Sequence, residues 1–150
     1  MITRRAGKRW AGRAAALSGV IALTLAAQDG TRSVWDGVYT EAQSKRGLEA
    51  YGTRCGACHG TFLTGGEIAP PLAGGEFLSS WSGLTVGDLF ERIRTTMPAD
   101  NPGKLSREMN ADILSYILSM NRFPAGASEL PRQTEYLKQI RIDAEKPGQR

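Results

Sequence analysis

Apolar residues recur every three or four positions in two stretches of this chain, and the every-second-residue alternation of a strand is nearly absent. Val86, Leu89, Phe90 and Ile93 fall at i, i+3, i+4 and i+7, one buried face of a helix. Thr85 opens that helix, with Asp88 three positions on as partner in a capping-box-like start. The helix stops at "TTMP", because Pro98 disfavours helical backbone at Met97. After the turn "ADNPGK", Ser106 caps a further helix on which Met109, Ile113, Tyr116, Ile117 and Met120 line one side, and Pro124 ends it. Upstream, Thr40 caps a helix through "EAQSKRGLEAY", with acids in its first turn. Gly47 and Tyr51, four apart, share a face of it. A mid-helix glycine costs about 1 kcal/mol, so either another helix passes close over Gly47 or it is a tolerated surface residue. The pattern is that of an all-α protein.

The remainder is less regular. Residues 60–83 read as a loop, rich in glycine and holding Pro70 and Pro71, and so long a loop in a small domain is unusual unless something other than protein gives it shape. Residues 28–39 are a polar arm with Val34, Trp35, Val38 and Tyr39 as anchors that dock on the domain. Residues 123–150 form a tail with a short helix and apolar contacts at Tyr136, Leu137 and Ile140, suited either to wrapping the domain or to joining a partner. Residues 1–13 carry five basic groups and no acid, and residues 14–27 are apolar and end in small residues. That is the build of a secretory signal peptide, which places the mature protein in the periplasm or on the outer face of the cytoplasmic membrane. The apolar run of about 14 residues is short of the ~20 that span a bilayer, so membrane contact is expected only if the leader stays uncut.

The leader also explains the charge. The chain has 19 basic and 15 acidic residues, net +4; without the five basic groups of the leader, 14 basic face 15 acidic groups, net −1. The basic balance belongs to the targeting segment, and nucleic acid is not an expected partner.

Export and a lack of disulfide pairs leave the two cysteines to be explained. Both, with the only histidine, lie in "CGACHG", residues 55–60. Shuffling this composition would produce C-x-x-C-H in about one chain in ten thousand, and the spacing is that of covalent haem attachment. Zinc would lack a fourth Cys or His ligand, and a thiol-disulfide centre would lack its usual βαβ setting. Haem needs two thiols for the porphyrin vinyl groups and one imidazole, His59, for the iron, all from one short turn. With one histidine, a second axial ligand from this chain points to methionine. Met109 and Met120 sit on an apolar stripe, where methionine usually fills core. Met97, at a helix end before Pro98, is the candidate distal ligand.

Together these residues resemble class I (monohaem) c-type cytochromes over residues 40–122. In that family a glycine and an aromatic four apart precede the first haem cysteine, as Gly47, Tyr51 and Cys55 do here, and cross an aliphatic and an aromatic of the last helix, here Ile113 and Tyr116. The resemblance implies an all-α fold of three or more helices packed around one covalent haem c. Cys55 and Cys58 would be the covalent attachment points, with His59 and Met97 the iron ligands. It further implies that Pro70 or Pro71, with Pro70 the better match, lends its carbonyl to His59, and that Trp81 or Arg92 meets the haem propionates. The chain would then divide into a leader (1–27), an arm (28–39), a haem domain (40–122) and a tail (123–150).

The expected role is electron transfer without catalysis, single electrons passing from a dehydrogenase or membrane complex to an oxidase or other acceptor. One alternative is a haem subunit of a larger quinoprotein-type dehydrogenase, with arm and tail as its interface. Another is a haem enzyme or sensor with a labile sixth ligand, which would need a distal acid-base group, and no second histidine is available for that.

Overall fold

Gly47 is explained by what crosses it. In the computed structural model, which describes residues 32–148, α1 (Glu41–Arg54) meets α5 (Arg107–Met120) at this point. A Cβ on Gly47 would collide with the Asp112 carbonyl and press on Tyr116 Cβ, so close helix packing, and not surface tolerance, is the reason for the glycine. One turn on, buried Tyr51 meets Tyr116 with ring centroids 5.3 Å apart, and Ile113 is buried alongside. Arg46 locks the crossing from outside, donating to both Asp112 carboxylate oxygens at 3.0 Å and to Glu129 at 2.8 Å.

Every residue of α5 from Asn110 to Leu118 is buried, so this helix is central and its apolar stripe is only one of its contact faces. Met109 and Met120, at its two ends, are half-buried against the core. Short α2 (Gly56–His59) follows α1, and α4 (Val86–Thr96) lies against α5. Thr85 and Asp88 make the full reciprocal cap of α4, with the Asp88 N–H donating to Thr85 Oγ1 at 3.1 Å and the Thr85 N–H to the Asp88 carboxylate at 3.0 Å. Val86, Leu89, Phe90 and Ile93 are all buried. At Met97 the backbone turns extended (φ −122°, ψ 154°), as the residue before a proline must.

Residues 60–83 are not all loop. A further helix, α3 (Gly75–Trp81), forms inside them, with Glu76 in its first turn and Phe77 buried. Glycines at both Gly74 and Gly75 hide its start, because no side chain caps it.

Arm and tail meet each other. β1 (Arg32–Ser33) pairs in parallel with β2 (Ile140–Arg141), Arg32 opposite Ile140. A 3-10 turn over Val34–Asp36 follows β1, and one-turn α6 (Thr134–Leu137) precedes β2. Val34, Val38 and Tyr39 of the arm join Leu130, Leu137, Ile140 and Ile142 of the tail in the same core as the helices. Trp35 is half-buried, edge-on to Phe123 at 5.0 Å, and its indole N–H donates to the Asp143 carbonyl. Tyr136, expected as an apolar contact, is instead 56% exposed, because a single turn of helix can aim only Leu137 inward. The Gln43 amide stitches the tail to α1 by bonding both the N–H and the carbonyl of Leu130, at 2.6 and 3.1 Å. Among the described residues no helix is long and apolar enough to cross a membrane; residues 1–27, the segment expected to be a leader, lie outside them.

Candidate functional site

The last turn of α1 runs directly into the cysteine segment. The Cys55 N–H donates to the Tyr51 carbonyl at 2.8 Å, and the N–H groups of Cys58 and His59 both return to the Cys55 carbonyl at 3.1 and 3.0 Å. One tight turn therefore carries two thiols and the imidazole. Cys55 is half-buried against the core, Cys58 is exposed, and His59 is buried. Both thiols are free. Burial, and secondarily the neighbouring Cys58, push the Cys55 thiol up to about 11, so at neutral pH it is protonated. Among the described residues no three His, Cys, Asp or Glu side chains gather where they could hold a metal ion.

His59 Nδ1 lies 2.8 Å from the Pro70 carbonyl oxygen. A carbonyl only accepts, so Nδ1 carries the proton and Nε2 keeps its lone pair. Of the two adjacent prolines, Pro70 makes this contact. The loop that delivers it is braced through its own backbone. The Gly65 N–H donates to the His59 carbonyl at 2.9 Å, Gly66 to Ala69 at 2.9 Å, and Leu72 to Leu63 at 2.8 Å. Gly65 adopts φ +71°, and a Cβ there would run into the Pro70–Pro71 peptide. The Tyr51 hydroxyl, kept protonated by burial, donates to the Gly60 carbonyl at 2.7 Å. Asn121, just past α5, clamps the far end: its amide N–H donates to Leu72 O and its carbonyl accepts from Gly74 N–H, both at 3.0 Å.

Cys55, Cys58, His59 and Pro70 thus form one cluster. Met97 is half-buried against the core at the end of α4, its N–H donating to Ile93 O at 2.9 Å. Trp81 is half-buried at the end of α3, its ring 6.3 Å from that of Phe77. Arg92 is exposed on α4, and among the described residues no hydrogen bond joins Trp81 or Arg92 to the cysteine–histidine cluster. Gly65 and Asn121 escaped sequence reasoning. A positive φ leaves no mark beyond the glycine itself, whereas Asn after the last apolar residue of a helix is a recognisable ending signal.

Unjoined paired thiols beside an imidazole of fixed tautomer suit covalent haem, and this donor set does not suit a bare ion. Residues 42–117 match the family model described as cytochrome c oxidase, cbb3-type, subunit III. Comparison with curated proteins gives no match. Among solved structures the chain is similar to the sulfane dehydrogenase SoxCD from Paracoccus pantotrophus, at 19% identity and a TM-score of 0.49, over 77% of this chain and 66% of that one. The family model covers half of the sequence and runs through the turn that bears both thiols, so the chain belongs to this cytochrome c family and its cofactor is a covalently bound haem c.

Proposed function

We propose that this protein is an electron carrier outside the cytoplasm, its haem c attached through Cys55 and Cys58 and its iron held between His59 and Met97. When bound, the haem supplies a one-electron centre. The Pro70 carbonyl holds the His59 ring with Nε2 free to ligate and raises the basicity of that nitrogen; this contact is the observation that carries the reading. Met97 offers a neutral thioether from the end of α4, which favours the less charged reduced state and raises the potential. α5 packs against both α1, which leads into the thiol-bearing turn, and α4, which ends at Met97, so little has to rearrange when charge arrives or leaves. His59 is the only histidine of the chain and is already engaged through Nδ1, which leaves no second imidazole for acid-base chemistry on a substrate.

The reading as a carrier with transient redox partners, a dehydrogenase or respiratory complex on one side and an oxidase or other acceptor on the other, gains support from where apolar surface lies. Apart from Tyr136, arm and tail turn their large apolar residues towards the core, and so offer little to a permanent dehydrogenase interface. Phe62 and Ile68, 73% and 81% exposed, stand instead on the loop that carries Pro70. Export is proposed from the leader, and N-terminal sequencing of mature protein should begin near residue 28.

A pyridine haemochrome spectrum of matured protein should report one haem c. The oxidised protein should show the weak near-infrared band of iron–thioether bonding, lost in Met97→Ala. A colourless product, or rapid CO binding to reduced wild type, overturns the proposal.

A further inference from the structure

Residues 97–106, which begin with Met97, hold little shape of their own. Residues 99–104 are exposed, and the one backbone–backbone hydrogen bond inside the segment runs from Asn101 N–H to Pro98 O at 2.9 Å. Its geometry is inherited from the helices on either side, α4 ending at Thr96 and α5 beginning at Arg107. The tail joins those two helices. The Thr134 hydroxyl donates to the Glu91 carboxylate of α4 and accepts from Arg107 Nη1 of α5 at 3.2 Å. Arg107 donates further to the Arg132 carbonyl at 3.1 Å and lies over the Phe90 ring, 5.7 Å from its centroid. Glu91 is steadied on its own helix by Arg94, at 2.6 Å. Towards the start of α4 the tail keeps contact: a Cβ on Gly87 would strike the Lys138 backbone, and Ile142 N–H donates to Leu84 O at 2.9 Å. Thr134 lies outside the residues that match the family model.

We propose that Thr134 is a positioning residue whose hydroxyl, shared between Glu91 and Arg107, sets the relation of α4 to α5 and thereby retards release of Met97 from the haem iron. The proposal rests on Met97 being the distal ligand. The tail thereby braces α4 against α5, the two helices between which the Met97 loop runs. A methyl in place of the hydroxyl would keep the volume and remove both bonds, leaving Glu91 only Arg94 and Arg107 only the Arg132 carbonyl and the Phe90 ring.

Imidazole tests this, because it can occupy the iron of oxidised holoprotein only after Met97 leaves. Binding should be slow in wild type and fast in Met97→Ala. Thr134→Val should accelerate it about tenfold, the scale of one net hydrogen bond, with faster amide exchange in residues 99–103. Thr134→Ser should restore the wild-type rate. Gln43→Leu, which frees the tail from α1 at Leu130 and leaves the Thr134 bonds in place, should lower thermal stability without changing the rate. If Thr134→Val stays within twofold of wild type, or if Gln43→Leu accelerates binding equally, the positioning role is overturned while Met97 stands as ligand. If wild type binds imidazole as fast as Met97→Ala, the ligand reading falls and takes this proposal with it.

Discussion

Two loops serve the proposed iron site, and they are built on opposite terms. The loop after His59 is tied through its own backbone by four bonds, Leu63 to Gly60, Gly65 to His59, Gly66 to Ala69 and Leu72 to Leu63, and is pinned from outside by Tyr51 and Asn121. The loop that opens with Met97 has one internal bond and depends on helix ends and the tail. The difference teaches where sensitivity should lie. A self-braced loop fails when one of its own special positions is altered. A loop braced from its ends tolerates change within itself and responds to change at a distance.

Breaking the first loop should have the largest effect. Gly65→Val forces a branched residue to φ +71° and into the Pro70–Pro71 peptide, at a cost of about 3 kcal/mol in urea unfolding. In that variant the His59 Nδ1–H proton should exchange rapidly with water; a slowly exchanging proton would mean that the loop can yield at Gly65. Asn121→Leu comes next, because it strands Leu72 O and Gly74 N–H, and about 1–3 kcal/mol should be lost. Amide exchange in that variant should rise at residues 72–75 and hold steady at residues 99–103, and equal rises in both would erase the contrast between the loops.

Acid should separate the loops more gently. Hydrogen bonds from Arg94 and then Thr134 hold the Glu91 carboxyl at about 2, below its ordinary 4.5, with Arg107 adding to the effect. A depressed carboxyl contributes stability that is complete above its unfolded value and disappears as pH falls from about 4.5 through about 2. The side chain is 30% exposed, so screening keeps the contribution small. Stability measured across that window should fall more steeply in wild type than in Glu91→Gln, and parallel curves would remove Glu91 from the account. The backbone bonds of the His59 loop have no such titration. Smallest of all, Lys104→Ala inside the exposed segment should change unfolding free energy by less than about 0.5 kcal/mol.

What could be read in advance followed from strong local chemistry. Thr40, Thr85 and Ser106 each accept the hydrogen bond expected of a helix cap, because capping needs only a side chain and the next three residues. The four-residue stripe of α4 is buried as its period requires. The cysteines and histidine announced themselves because all three fall within residues 55–59 at C-x-x-C-H spacing, and zinc and a thiol-disulfide centre each lacked a part they need. Long-range placement was not legible. β1 and β2 are two residues each, too short to carry an alternation, and they pair across more than a hundred residues. α3 was masked by the glycines that begin it. Tyr136 looked like an anchor from its neighbours, yet which side of a single turn faces inward depends on what lies beneath it.

The parallel pairing of Arg32 with Ile140 has a consequence for the order in which the molecule is completed. The backbone hydrogen bonds of α1 and of the thiol-bearing turn join near neighbours and can form early, whereas β1 has no strand to join until residues 140–141 reach it from more than a hundred positions away. Pulse-labelled hydrogen exchange during refolding should therefore protect Cys55 before Ile142. The attachment cysteines would be set in their turn while the arm and the tail are still apart, and the joining of those two segments would come last.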